Sequence, residues 1–481
     1  MSGRAEFAAD LSSGGRPFPH FWEHTVGSGH ALLALRADWQ EQMARCHREL
    51  GFRHVRFHGI LSDDVGTLVD EQNELIDSFF NAEQIWDFLL SIGMRPFVEL
   101  SFMPTALASG RKTVFHYRGN VTPPKSRRKW AALVRRLAGR AVERYGREEA
   151  ATWPFEVWNE PNLTAFWTGS RLDYFRLYRE TARAIKEVDA SLTVGGPATA
   201  KNAWIEEFLD FCREKDAPLD FVSTHHYPTD DFGKPGDDTL AQLAASRRSA
   251  LRDEARAVRR FVGGRPLYYT EWSSSSNPFD SLHDEPYAAA FAVKTILEAT
   301  GIVDGYSWWT FSDIFEENYF SSVPFHGGFG LLTLHGVAKP VYRGFELLHR
   351  LGDETFPVKG NHDTADAWVV RRGRAATVIL TNWALPRHDI EPVTVRVTLT
   401  GNELRSARLE RIDEDHGHAR PVWERMGKPT SLTRRQLEDL HAASVLGVEK
   451  LEPTVEGSRV SFEVVLPVQS VAAVTLEEAV A

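Results

Sequence analysis

The stretch FEVWNEPNL, residues 155–163, changes character halfway. Phe155, Val157 and Trp158 favour strand. Pro161 has no N–H, so a central sheet ladder must stop before it. Proline also disfavours a helical residue ahead of it, which predicts an extended Glu160. The stretch therefore reads as a strand that ends with a carboxylate, Glu160, at its tip beside the amide of Asn159.

Working outward, the same pattern recurs from about residue 18 to 350. Strand segments HFWEHTV (near 20), HVRFHGI (54–60), RPFVELSF (95–102), PFEVWNE (154–160), SLTVGGP (191–197), DFVSTHHY (220–227), PLYYTEW (266–272) and GYSWWTF (305–311) alternate with amphipathic helical ones. Examples of the latter are ADWQEQMARCHREL, KWAALVRRLAGRAVERYG and YFRLYRETARAIKEVD. Eight such alternations predict an α/β fold, a (β/α)8 TIM barrel. After about residue 352 the period shortens to two, as in DAWVVRRGRAATVILTNWA and SRVSFEVVLPVQSVAAVTLE. That predicts a C-terminal antiparallel β-sandwich accessory domain, interrupted by one helical insert, TRRQLEDLHAASV. The expected division is a barrel over 15–350 and a sandwich over 351–481, with residues 1–14 returning to the sandwich as an extra strand. The sandwich is expected to act as a brace.

Composition narrows the class. With 56 Lys and Arg against 66 Asp and Glu, the net charge is −10, and no basic run suggests nucleic acid. The apolar runs are too short and mixed to span a bilayer. The start, MSGRAEFAADLSSGG, lacks a basic segment followed by an apolar one. Two cysteines, Cys46 and Cys212, cannot build a disulfide framework, so a cytoplasmic location is expected. Oligomeric state stays open.

Chemistry in such a barrel sits at the C-terminal strand ends. Those ends offer Arg56 and His58 on strand two, Asn159 and Glu160 on four, and His225, His226 and Tyr227 on six. Strand seven offers Glu271, and strand eight offers Trp309 with Glu317 beyond it. A lone glutamate at a strand end is ordinarily a cap or a surface partner. Two of them, on strands four and seven and each beside a Trp, point to cleavage of a glycosidic bond. One carboxyl must hold a proton for the leaving oxygen, and the other must be ionised. Arg56 and Tyr227 are the types to hold Glu271 ionised, by charge and by hydrogen bond.

Other motifs carry less. HFWEH (20–24) has a zinc-peptidase spacing, but as a strand its histidines lie roughly 13 Å apart. NVT (120–122) and NLT (162–164) fit a glycosylation pattern that needs a secretory route. GGPATA lacks a phosphate-binding pattern. In HHYPTDD, neighbouring histidines on a strand face opposite sides, so His226 is expected to be structural. No metal and no cofactor is implied.

FEVWNEPNLTAFW and YYTEWSSSSNP resemble the acid/base and nucleophile motifs of glycoside hydrolase family 39, the family of β-xylosidases and α-L-iduronidases. RFHGIL, VFHYRGNVTPPK, VGGPATA, STHHYP and SWWTFSDIFEE extend the resemblance over about 18–340. It implies a retaining reaction, with Glu160 as general acid/base and Glu271 as nucleophile, and carboxyls about 5–5.5 Å apart. It also implies a sugar held by His58, Asn159, His225, Tyr227, Trp309 and Glu317, with Phe115 as a platform.

Iduronate would need fixed cations for its carboxylate. WWTFSDIFEENYF instead brings Asp313, Glu316 and Glu317, while Arg111, Lys112 and Arg118 near the third loop read as solvated. The expected activity is therefore removal of terminal β-D-xylose from xylo-oligosaccharides or aryl xylosides. The alternatives are an iduronidase-like, arabinose- or glucose-directed enzyme of the same family, or an inactive sugar-binding barrel.

Overall fold

The computed structural model describes residues 3–72, 74–229, 236–317, 321–401 and 403–478. Eight parallel strands close into a barrel: β1 (Thr25–His30), β2 (His54–His58), β3 (Arg95–Leu100), β4 (Pro154–Val157), β5 (Thr193–Thr199), β6 (Phe221–His225), β7 (Leu267–Trp272) and β8 (Gly305–Trp308). Closure is made where Trp308 of β8 meets Val26 of β1. Helices Ala37–Leu50, Phe80–Ser91, Arg127–Tyr145, Arg171–Val188, Ile205–Glu214, Ala250–Val262, Pro286–Glu298 and Pro340–His349 surround it. Their ends follow local rules. Ser170 and Asp173 form a capping box, and Gly51 closes the first helix at φ +75, which a side chain would strain.

Two details differ from the sequence reading. HFWEH is not the first strand: Phe21–Glu23 is a 3-10 turn and β1 starts at Thr25. The turn buries Phe21 and Trp22 together, which a strand would split between two faces. It also brings His20 and Glu23 to His349, while His24 stacks on His54 and Tyr268. The second difference is at Glu160, which is not extended but sits at φ +42, after Trp158 at φ +72. Such backbone costs about 1–3 kcal/mol per residue and persists only where its surroundings over-determine it. Here Glu160 N–H donates to Ala198 O at 2.8 Å, and the Asn162 amide bonds both the N–H and the C=O of Ala200. The end of β5 thus holds the loop after β4 in place.

Apart from two short two-stranded sheets in the loops after β2 and β3, the remaining described strands form a five-stranded and a seven-stranded sheet that share a core. Phe7, Val395 and Phe462 from the five-stranded sheet meet Val378, Leu409 and Val474 from the seven-stranded one. Gly3–Asp10 joins the first of these, but parallel to Val393–Thr400, so that sheet is mixed. No hairpin links the two strands, so nothing forces them antiparallel. The helix Pro286–Glu298 is buried on all sides down to Leu297, because the barrel lies on one face and the sandwich on the other. Trp383 of the sandwich packs on Tyr287 and Phe291 of that helix.

The insert adds a helix the sequence reading did not foresee, Arg420–Arg425, beside Arg434–Ala443. Their Trp423 and Leu440 pack on Phe325 and Val337 of the long loop after β8. That loop is pinned from within by Lys339, whose Nζ pairs with Asp284 at 2.7 Å and Asp313 at 2.8 Å and donates to Gly328 O. All three charged groups are buried. Lys339→Met would leave two buried carboxylates uncompensated, at a cost of about 3–5 kcal/mol. A thermal unfolding midpoint several degrees below wild type is expected; an unchanged midpoint contradicts this account.

Candidate active site

The C-terminal ends of the barrel strands open on a cavity of ≈ 660 Å³. Its lining includes His58, Phe115, Asn159, Glu160, Tyr227, Glu271, Trp309 and Glu317, from six different strand ends or the loops after them. Below it, the barrel interior is polar. Arg56 of β2 is fully buried and each of its groups is engaged. Nε donates to Glu156 Oε2 at 2.6 Å, Nη1 to Glu271 Oε1 at 2.8 Å, and Nη2 to Asn159 Oδ1 at 2.9 Å. Nη2 also lies 2.8 Å from Glu99 Oε2. With Oδ1 of Asn159 taken by Arg56, the amide presents its N–H donors to the cavity.

Glu271 accepts a second bond, from Tyr227 O–H at 3.0 Å to Oε2. A bulge lets β7 deliver it. Thr224 pairs with Tyr269 and His225 with Glu271, so Thr270 is an extra residue on β7. Ordinary alternation would send Thr270 and Glu271 to opposite faces. The bulge turns both inward, Thr270 to Glu156 and Glu271 to Arg56.

Glu160 has a different partner. Its Oε1 lies 3.0 Å from His225 Nδ1, and one oxygen of Glu160, one of Glu271 and a ring nitrogen of His225 lie within 4.8 Å of one another. Burial pushes both carboxyls up. Glu160 rises well above the ordinary range, because the charge of Glu271 adds to burial. Glu271 rises less, to about 7, since Arg56 and then His58 oppose burial. A proton shared by the pair therefore sits on Glu160. Arg56 and Tyr227 do bond Glu271, but burial outweighs them, so its pKa ends above the ordinary range rather than below it.

His58 shows the opposite balance. Burial would lower it, but Glu99 at 2.8 Å and Glu317 at 3.4 Å raise it to about 10. It is an imidazolium at neutral pH, with carboxylates on both ring nitrogens. Its ring lies 4.8 Å from that of Trp309 and 6.0 Å from that of Phe115. Trp309 in turn rests on Gly27 of β1, where a Cβ would come within 2.6 Å of the indole.

Not every expected residue reaches the cavity. His225 is fully buried beneath the carboxylates. Its ring nitrogens face Glu160 and Thr270, and it is not among the residues lining the cavity. Of the three acids in SDIFEE, only Glu317 lines the cavity; Asp313 is the partner of Lys339. His226 turns away, bonding Tyr306 O–H at 2.7 Å and stacking on Tyr269. Arg111, Lys112 and Arg118 are exposed, with Lys112 bonded to Thr164 O.

Glu99, Glu156 and Thr270, which lie below the cavity in the barrel interior, and the wall residues Phe166, Phe279 and Phe329 were not among the expected site residues. A signal was present: Arg56 in HVRFH is a cation inside an apolar strand and must be matched by buried carboxylates. The spacing of Glu160, His225 and Glu271 would also fit a divalent ion. Both oxygens of Glu271, however, accept from donors, which suits an anion held in place rather than a metal ligand.

The sequence profile of Glycosyl hydrolases family 39 matches residues 7–457. A beta-xylosidase of Caldicellulosiruptor saccharolyticus is 46% identical over 464 residues, 95% of each chain. One from Geobacillus stearothermophilus is 37% identical over 448 residues, 90% of this chain and 88% of the relative. Among solved structures, a monomeric beta-xylosidase from Caulobacter crescentus superposes with a TM-score of 0.87 at 33% identity, covering 99% of this chain and 100% of that one. A site of two carboxylates in a (β/α)8 barrel is thus matched by likeness along nearly the whole sequence, and the chain belongs to glycosyl hydrolase family 39.

Proposed function

We propose that this glycoside hydrolase is a retaining exo-β-xylosidase acting on xylo-oligosaccharides or aryl β-xylosides. The observation that carries the reading is the pair of carboxylates at the barrel mouth, with oxygens within 4.8 Å and unlike partners. Oxygens this close fit the shorter of the two carboxyl separations used in glycoside cleavage, which suits direct attack by one carboxylate on the sugar. In the first step Glu271 attacks the anomeric carbon while Glu160 gives its proton to the leaving oxygen. In the second, Glu160 takes a proton from water, whose oxygen displaces Glu271. Two inversions restore the configuration.

The sugar class follows from the walls. Among the described residues lining the cavity there is no Lys or Arg, and the charge of His58 is matched by Glu99 and Glu317. That favours a neutral sugar over a uronate. The relatives that match along nearly the whole chain at 46% and 37% identity are beta-xylosidases. We place the sugar ring over Trp309, within reach of His58, Asn159, Tyr227 and Glu317, with Phe115 at the rim. The sandwich, residues 351–481 with 1–14, serves as a brace that seats the helix Pro286–Glu298 and the loop after β8. Among the described residues no helix is long and apolar enough to cross a membrane. Cys46 and Cys212 are both buried and unpaired, which suits a cytoplasmic setting.

A panel of nitrophenyl glycosides tests the activity. The β-xyloside is expected to exceed the β-glucoside, α-arabinoside and α-iduronide in kcat/KM by roughly tenfold or more. A faster iduronide would replace the proposal with the rival activity, and no turnover at all would favour a sugar-binding barrel. Glu271→Ala tests the nucleophile. Added azide should enter the vacated face and give the inverted glycosyl azide; retained product from a clean preparation would rule the assignment out. Glu317→Ala tests the pocket. Loss of a charge-assisted bond in a dry site should lower kcat/KM by about 2–4 kcal/mol, with kcat sharing the loss. Kinetics close to wild type would remove Glu317 from the site.

A further inference from the structure

Three buried side chains, Glu156, Thr270 and His225, connect Arg56 to Glu160. Arg56 Nε donates to Glu156 Oε2 at 2.6 Å, and Thr270 Oγ1 lies 2.8 Å from Glu156 Oε1. His225 Nε2 lies 3.1 Å from Thr270 Oγ1, and its Nδ1 is 3.0 Å from Glu160 Oε1. Glu156, His225 and Thr270 are at most 1% exposed, so no link is open to bulk solvent.

The donors along this chain can be assigned in one direction. Glu156 is paired with a guanidinium, so both its oxygens accept. Thr270 has one hydroxyl hydrogen, and it points to Glu156. Its oxygen can then only accept, so Nε2 of His225 must carry the ring hydrogen. A neutral imidazole has one such hydrogen. Nδ1 is therefore a lone pair, and it faces Glu160 Oε1. Two lone pairs at 3.0 Å repel; a proton on Glu160 turns the contact into a hydrogen bond.

We propose that Thr270, oriented by Glu156, is a positioning residue of the reaction: it fixes the Nε2–H tautomer of His225, whose Nδ1 lone pair keeps the acid proton on Glu160. The proposal rests on the reading of Glu160 as acid/base. It serves both steps. In the resting enzyme the lone pair favours protonated Glu160. After the proton has gone to the leaving oxygen, the same lone pair faces an ionised oxygen and makes Glu160 a stronger base toward water. Had the ring hydrogen been on Nδ1, it would have stabilised the carboxylate and weakened the acid.

The neutral state of the ring is consistent with its surroundings. Burial, Arg56, His58 and His226 all hold the His225 imidazole below its ordinary pKa. Other groups also face Glu160: Glu271 from β7 and Glu317 from the loop after β8 favour its protonated form, while His58 and Arg56 of β2 oppose it. Tyr227, at the end of β6, donates to Glu271, whose Oε2 is 3.6 Å from His225 Nδ1. The Glu271 oxygen near Nδ1 draws the ring hydrogen toward that nitrogen; Thr270 is the contact that holds it on Nε2.

The test is ring nitrogen NMR on histidine-labelled enzyme, joined to pH–rate profiles. Wild type at neutral pH should show His225 as the Nε2–H tautomer. Thr270→Val removes the hydroxyl at nearly constant volume and should move the ring toward Nδ1–H. Its alkaline limb of kcat/KM should fall by about one pH unit, with the largest loss for poor leaving groups. Thr270→Ser should restore both readouts. A wild-type ring in the Nδ1–H or imidazolium form overturns the proposal, as does a folded Thr270→Val enzyme with an unmoved alkaline limb. The spectrum is read without substrate and needs no variant to fold, so it stands apart from the sugar specificity. Glu160→Ala separates the underlying role: equal slowing of good and poor leaving groups would remove Glu160 as acid/base whatever the tautomer.

Discussion

The guanidinium of Arg56 is the constraint on which the site depends. Removing an ion from water costs several kcal/mol even after relaxation, and the loss is offset only by close, well-aligned partners. Arg56 meets that condition with Glu99, Glu156 and Glu271 and with the Asn159 amide. Because its fork is planar and its donors are fixed in direction, each partner is held at a set angle. One residue of β2 thereby positions groups on β3, β4 and β7. The barrel needs this arrangement for its own interior, so the geometry around Glu271 comes with folding and does not wait for substrate.

The difference between Glu160 and Glu271 lies in their partners, not in the residue type. Glu271 is surrounded by donors, from Arg56 and Tyr227, and has the imidazolium of His58 nearby. Glu160 has a neutral imidazole and the charge of its fellow carboxylate. Burial raises both, and the partners decide by how much. This separation of two like groups by their surroundings lets one pocket hold a protonated and an ionised carboxyl at the same pH.

The walls are supported from further away. The loop after β4 keeps Glu160 in a left-handed conformation, held by bonds to the end of β5. The loop after β8 carries Glu317 and is gripped from inside by Lys339 and from outside by Trp423 and Leu440 of the insert. The helix Pro286–Glu298 is buried around its whole circumference because the sandwich covers the face that the barrel leaves open.

Much of this was legible in the order of residues. Alternation of short apolar runs with amphipathic helices is local information, and it placed eight strands with only the first displaced, where a 3-10 turn buries Phe21 and Trp22. Pro161 marked the end of β4, and Glu271 ended a β-rich run, so both carboxylates stood out at strand tips. What the order of residues could not convey depends on register and on contacts across the barrel. A bulge in β7 turns Thr270 inward, the end of β5 imposes φ +42 on Glu160, and burial sets His225 beneath Glu160 rather than on the cavity wall. Glu99 and Glu156 looked like ordinary strand residues until Arg56, about 40 and 100 positions away, was placed between them. Periodicity reports which side of an element is buried; which buried groups meet, and hence which carboxyl holds the proton, is set only when distant strands close on one another.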